Sequence, residues 1–224
     1  MKIIALSDQH GNLEHIRESC DVVVIAGDWS PLHYQQDYTA VLNWWGNEFI
    51  PWMKSLDTDH IIIVPGNHDL ACTYSSFKDD IDRLIKRHSM NGKIHYLCFD
   101  SVIVCGKKFY GNPNSESPSW WAFSNQHNQT YEFDDDTDIL ITHQPPRFGN
   151  VGFVRRFNKE FGSVDLRNEI LRSNISLNIC GHIHTGDHGT TPVILNNGKS
   201  AIIKNVSILD EDYRVAYEPA IIEI

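Results

Sequence analysis

Six short apolar runs rich in β-branched residues punctuate the chain, at residues 3–6, 22–26, 61–64, 102–105, 139–141 and 177–180. None alternates between apolar and polar positions, which is the pattern of strands covered on both faces of an α/β sheet. The segments between them carry helical spacing. Residues 12–18 predict a short helix, 38–56 a longer one rich in tryptophan, and 76–87 a helix with Phe77, Ile81, Leu84 and Ile85 on one face. A fourth, over 163–171, opens on Ser163, a good N-cap residue. This alternation predicts βαβ units and a largely parallel sheet. From residue 193 the helical period gives way to strand-like runs at 193–195, 201–208 and 220–224. Asn197-Gly198 divides the first two, a hairpin signal, so the tail is expected to add antiparallel strands in a second sheet.

The 224 residues, 41% hydrophobic and 21% charged, can bury a sizeable core and exclude a disordered chain. No repeat, linker or composition break marks a second domain, so one domain over residues 1–224 is expected. No apolar run approaches the roughly 18 residues that a membrane span needs. The apolar start turns polar at Ser7, too soon for a signal peptide, and a cytoplasmic protein is the expectation. A net charge of −10 argues against long nucleic acids and anionic membranes as partners. Cys20, Cys72, Cys98, Cys105 and Cys180 are scattered and odd in number, which reads as free thiols and not as a disulfide framework or zinc knuckle. The 12 histidines change the picture most, through where they fall.

Five of them fall just after strands. Residues 3–6 lead into Ser7-Asp8-Gln9-His10-Gly11, 22–26 into Gly27-Asp28, and 61–64 into Pro65-Gly66-Asn67-His68-Asp69. Residues 139–141 lead into Thr142-His143-Gln144-Pro145-Pro146, and 177–180 into Gly181-His182-Ile183-His184. The C-terminal edge of an open α/β sheet is where ligands bind. Extended alternation places Asp8 and His10 on one side, and His182 and His184 likewise. A carboxylate can bridge two metal ions while imidazole and amide oxygen complete each shell. Oxygen and nitrogen donors without thiolate suit Mn, Fe, Zn or Co in an open catalytic site. The glycines before Asp28, Asn67 and His182 fit turns where the backbone needs room.

In this order, over residues 8–184, these blocks resemble the five motif blocks of the calcineurin-like metallophosphoesterases. The block at 142–146, the aromatic stretch 110–123, and Asn205-Val206-Ser207 leading to Pro219-Ala220-Ile221-Ile222 resemble the metallophosphoesterase-domain-containing branch. The resemblance implies an α/β sandwich of two β-sheets flanked by helices, in four αββα layers. It also implies two divalent ions, Mn first, with Fe, Zn, Co or Ni as alternatives. Asp8, His10, Asp28 and His184 would hold one, and Asp28, Asn67, His143 and His182 the other, with Asp28 bridging. A metal-bridging hydroxide would attack phosphorus, and His68 would contact the phosphate and protonate the leaving group. The expected substrate is a small phosphate ester, first of all a phosphodiester of nucleotide or cyclic-nucleotide type. The alternatives are a phosphomonoesterase or protein phosphatase on the same site, and a non-catalytic binding protein that keeps the fold. No Arg cluster lies in the motif loops, which favours the diester, and no ligand is missing, which disfavours the binding protein.

On the substrate side the candidates are Asn67, His68, Asp69, Arg147 and His188. Asp69 could orient the His68 imidazole, or serve in a salt bridge or helix start. Arg147 could meet a phosphate or face solvent. His188, in a glycine-rich loop four residues past His184, could line the pocket. Asn12 is read as a helix cap before a contact to the bridging water. His15, His60, His88 and His95 read as surface or core residues, with His33 and His127 between the two groups. Trp44 and Trp45 read as core, whereas Trp29 and the 110–123 stretch, with Asn112, Asn114 and Trp120, are expected to shape the pocket. The acidic run 134–138 lacks EF-hand spacing and reads as a solvated turn.

Overall fold

All six apolar runs form strands, and five of the six are buried on both faces. The computed structural model describes residues 1–14, 16–124 and 131–224. The chain begins with β1 (Lys2–Leu6), β2 (Cys20–Ala26), α1 (Tyr38–Trp44), a π-helical turn (Trp45–Phe49) and α2 (Ile50–Ser55). It continues through β3 (Thr58–Val64), a 3-10 turn (Leu70–Thr73), α3 (Phe77–Arg87), β4 (Ile94–Tyr96), β5 (Asp100–Val104), β6 (Lys107–Asn112) and β7 (Ile139–Thr142). The small strands β8 (Phe153–Val154) and β9 (Lys159–Glu160) precede α4 (Val164–Arg172) and β10 (Leu177–Cys180). Last come β11 (Thr191–Ile194), β12 (Ser200–Asn205) and β13 (Ala220–Glu223).

Two large sheets result, ordered β13-β1-β2-β3-β4 and β11-β12-β10-β7-β6-β5. Each has four parallel strands, closed by antiparallel edges at β13 in the first and at β11 and β5 in the second. Side-chain alternation explains why the sequence shows none. Ile3, Ala5, Val22, Val24, Ile62 and Val64 face the second sheet and pack with its Phe109, Ile139, Ile141, Leu177 and Ile179. Leu6, Val23, Ile25, Ile61 and Ile63 face outward onto Trp44, Trp45, Phe49, Phe77, Ile81 and Ile85. On the far side Leu140 and Ile203 pack with Leu166 and Ile170 of α4. Both faces of the central strands are apolar because both are covered, giving the αββα layering that the resemblance implies.

The run 38–56 is helical from Tyr38 to Ser55, with a π turn ahead of Pro51 and Leu56 already extended. Proline has no N–H and its ring crowds the carbonyl four residues back, and a widened turn accommodates it. Asp37 caps α1 through Ala40 N at 3.0 Å, and Ser163 caps α4 through Leu166 N at 3.2 Å.

Three sequence expectations need correction. No helix forms at residues 12–14 or 16–18. The Asn12 side chain donates to Gln9 O at 2.9 Å in place of capping, and Trp52 Nε1 donates to the Glu14 carbonyl at 2.9 Å. His15 and His127 lie outside the described residues. The tail builds no sheet of its own: β12 runs parallel to β10, and only β11 and β13 are antiparallel additions, one to each sheet. Between them the tail joins the sheets at the end of β1, where Ser7 N donates to Val206 O and Ile208 N to Ser7 O. Finally, the run at 102–105 ends at Val104 on an edge strand with Ile103 exposed, and Cys105 (φ +51) begins the turn to β6.

All five cysteines are free, and among the described residues no helix is long and apolar enough to cross a membrane. Lys107 pairs with Asp138, and Lys108 with Asp134 and Asp136, so the acidic run is a surface turn partly balanced by the two lysines at the start of β6.

Candidate metal centre

At the C-terminal ends of β1, β2, β3, β7 and β10 the chain turns sharply. Asp8 (φ +57), His10 (φ +44), Asp28 (φ +54) and His182 (φ +67) all occupy the left-handed region. Non-glycine residues rarely adopt it, and such outliers persist where surrounding structure enforces them, often at functional sites. Here the enforcement is interstrand: Asp8 N donates to Gly27 O, His10 N to Asp28 O, and Gly181 N to His143 O. Two glycines let the turns close. A Cβ on Gly27 (φ +98) would lie 2.2 Å from His143 Nδ1, and one on Gly181 would lie 2.0 Å from Ser7 Oγ.

These turns bring all seven proposed ligands together. Asp8, His10 and His184 form one cluster and Asp28, His143 and His182 another, each with its donor atoms within 4.8 Å of one another. A third such grouping, His10, Asp28 and His68, spans the space between. Asp28 Oδ2 lies 3.3 Å from His143 Nε2 and 3.8 Å from His10 Nε2, and Asp8 Oδ1 lies 3.5 Å from His184 Nε2. Asn67 Oδ1 is 2.9 Å from His143 Nε2. The first sheet thus contributes Asp8, His10, Asp28 and Asn67, and the second His143, His182 and His184.

Neighbouring carbonyls fix two of the imidazoles. His143 Nδ1 donates to Ala26 O at 3.0 Å and His184 Nδ1 to Asp210 O at 2.8 Å, which leaves each Nε2 for the centre. His10 is buried with neither ring nitrogen hydrogen-bonded. An imidazole left without partners among carboxylates is costly unless something else binds it, and a cation would do so. The donor set therefore fits divalent metal.

Electrostatics agree. Burial pushes the Asp8 carboxyl up, but His184, His143 and His10 outweigh it and hold it well below the usual range. Asp28 is likewise held low against burial by His143, His68 and His10. Burial opposes protonation of His143 and His184, yet Asp28 raises the first and Asp8 the second to about 9. Burial lowers His10 to about 4 and His182 to about 3. The metal-free centre at pH 7 therefore holds protons on His143 and His184, and coordination must displace them. Loading at pH 7 is expected to release about two protons per chain, and metal affinity to climb with pH toward 9. Titration calorimetry in buffers of different ionisation enthalpy measures this, and pH-independent binding without proton release would contradict it. The folded values of these two histidines lie above the ordinary 6.5. Chelator-treated protein should therefore lose stability as pH rises from 6.5 through 9.

The substrate-side candidates separate. His68 lies at the centre, its backbone N donating to Asp28 Oδ1 at 2.7 Å and its Nδ1 to Gln35 Oε1 at 2.7 Å. Gln35 is therefore the group that orients the imidazole. Asp69 turns away from it: its carboxylate accepts from Gly66 N, Asp28 N and Ser30 N at 2.7, 2.9 and 2.9 Å. Burial and Asp28 raise Asp69 to about 7, and it serves as a backbone clasp that sets the loop carrying Asp28. Arg147 donates to the carbonyls of Gly162 and Glu160 and so ties two loops. His188 donates to His184 O, stacks on Tyr217 at 3.7 Å, and lines a neighbouring groove with Asn150, Phe153 and Arg155.

Trp29 is a core residue, fully buried and stacked with Phe49 and Phe77. Asn112 and Asn114 are buried, and Trp120 is 72% exposed. In the 110–123 stretch it is Trp121 that reaches the centre, packing on His68 at 4.1 Å. Sequence reading also missed Ser207, whose hydroxyl donates to Asp8 Oδ2 at 2.6 Å, and Tyr213, which packs on His10 and His184. Neither lies in a motif block. Ser207 stands in the Asn205-Val206-Ser207 stretch that carries the branch resemblance, where the sequence alone assigns it no role.

The chain resembles metallophosphoesterase domain-containing protein 1 of Homo sapiens, 25% identical over 245 residues, covering 100% of this chain and 71% of that protein. A UPF0046 protein of Caenorhabditis elegans is 26% identical over 245 residues, covering 100% of this chain and 81% of that one. A solved crystal structure superposes with a TM-score of 0.58 at 14% identity, over 91% of this chain and 89% of the other, a likeness of fold. The model of the calcineurin-like phosphoesterase family matches residues 1–186, a span that holds all seven clustered side chains and His68, and the chain belongs to that family.

Proposed function

We propose that the protein hydrolyses a small phosphodiester at a centre of two divalent ions, manganese foremost. One observation carries this reading: Asp28 joins two clusters of carboxylate and imidazole donors around a buried His10 whose nitrogens have no partner. Bound there, two divalent ions would polarise the phosphoryl oxygens and acidify the attacking water. The residues supply the rest. Asp8, His10, Asp28 and His184 would hold one ion, and Asp28, Asn67, His143 and His182 the other. His68 would give a proton to the leaving oxygen, with Gln35 holding the opposite ring nitrogen.

Two features favour the diester. A monoester carries an additional negative charge and calls for further cationic contacts. The five motif blocks contain no Lys or Arg, and Arg147 beside the fourth is spent on backbone carbonyls. Manganese-loaded protein is expected to cleave bis-p-nitrophenyl phosphate faster than p-nitrophenyl phosphate. The opposite ranking would transfer the assignment to a phosphomonoesterase.

A further inference from the structure

Aromatic rings form an unbroken rim along one side of the centre. Trp121 packs on His68 with centroids 4.1 Å apart, His68 on His10 at 4.8 Å, and Tyr213 on His10 at 5.0 Å and on His184 at 5.4 Å. The three histidines have roles in the proposed chemistry, whereas Trp121 and Tyr213 do not. Both rings remain partly open: Tyr213 is 42% exposed and Trp121 half-buried.

Tyr213 is held at φ +59, in the left-handed region that bulky side chains avoid. Asp210 builds the turn that holds it there. The Asp210 carboxylate accepts from Asp212 N and Arg214 N, both at 2.9 Å. Its carbonyl accepts from Tyr213 N at 3.0 Å and from His184 Nδ1 at 2.8 Å. One carbonyl therefore fixes both an imidazole of the centre and the tyrosine above it. A turn that needed only to close would take glycine or asparagine at this position. A tyrosine kept against local preference points to a use for its ring.

We propose that Tyr213, on the far side of His68 and His10 from Trp121, is a specificity-determining residue that packs against an aromatic alcohol of the substrate ester. The inference rests on the phosphoesterase reading and adds which class of ester the site prefers. A phosphate carrying a flat ring group suits both features of the site: its anionic oxygens would turn to the divalent ions that the ligand set would hold, and the ring would lie along the aromatic rim. A simple alkyl ester leaves the open rings of Tyr213 and Trp121 in water.

Two substrate pairs read this directly. Bis-p-nitrophenyl phosphate and methyl p-nitrophenyl phosphate release the same leaving group and differ in the other alcohol. Phenylphosphonate and methylphosphonate report binding to metal-loaded protein by calorimetry, with no turnover involved. The wild-type protein is expected to favour the aryl member of each pair, and Tyr213→Gly to reduce that preference by roughly fivefold or more. Tyr213→Phe should retain it. Glycine suits the left-handed turn, so Tyr213→Gly should keep its metal content and its melting temperature.

An unchanged aryl preference in Tyr213→Gly overturns the proposal. Loss of metal in that variant also overturns it, making the ring a prop for His10 and His184. A wild-type protein that binds both phosphonates equally overturns it even if diesters are cleaved. If neither ester is cleaved but phenylphosphonate is favoured and Tyr213→Gly removes that preference, the hydrolase reading falls and the role of Tyr213 stands.

Discussion

Asp28→Asn is expected to strip both metal ions from the protein together, weakening each site by on the order of 10²-fold or more, the effect of removing one charge from a buried charged set. The two oxygens of Asp28 are already committed in opposite directions. Oδ1 accepts from His68 N at 2.7 Å, and Oδ2 faces His143 Nε2 at 3.3 Å and His10 Nε2 at 3.8 Å. Asparagine keeps the shape but must place an NH₂ at one of these positions. At the first it would meet the His68 N–H, donor against donor. At the second it would donate to an imidazole nitrogen that the metal needs. Either choice removes the negative charge that the two clusters share. Metal content after dialysis, compared with wild type, measures the outcome. Retention of one ion at full occupancy would show that Asp28 serves a single site and not a bridge.

Much of the candidate centre was legible because each proposed ligand lies shortly after a strand whose end is an apolar run. A buried strand ending in Asp or His has few other reasons to do so, and five such ends in one chain leave little room for coincidence. The same feature located the central strands, β1, β2, β3, β7 and β10. What stayed hidden lacked local contrast. β4 is three residues long, and β6 begins with Lys107-Lys108, so neither shows an apolar run. The fate of β12 was equally opaque, because pairing parallel to β10 depends on a crossover whose chirality and partner are not written in the run itself.

Side-chain roles were harder still. Asp69 follows His68 in sequence, yet a left-handed Asp28 creates backbone donors that draw its carboxylate the other way. Ser207 is brought to the centre by the tail crossing between the sheets and Tyr213 by the turn built on Asp210, while Gln35 comes from the turns between β2 and α1, outside the five motif blocks. Trp29 illustrates the reverse case: adjacency to Asp28 placed it near the site in sequence, while its ring points into the outer core.

His68→Ala is expected to lower turnover by about 10²–10⁴-fold while both ions remain bound. The imidazole lies among His10 and Asp28 donors, so geometry alone would also admit it as a ligand. Its bonding argues otherwise. Its Nδ1 is taken by Gln35 and its backbone N by Asp28, which presents the other ring nitrogen as the one free to carry a proton. A proton donor matters in proportion to how poorly the departing oxygen bears charge. The loss should therefore be smaller on bis-p-nitrophenyl phosphate, whose p-nitrophenolate departs readily, and larger on diesters that must expel an alkoxide. Gln35→Ala should move activity the same way by a lesser amount, since the imidazole remains but its orientation is no longer held. Equal losses on good and poor leaving groups would remove His68 from the proton-transfer step. A halved metal content in His68→Ala would make it a ligand, and Asp28 would then share His68 as well as His10 with the ion between them.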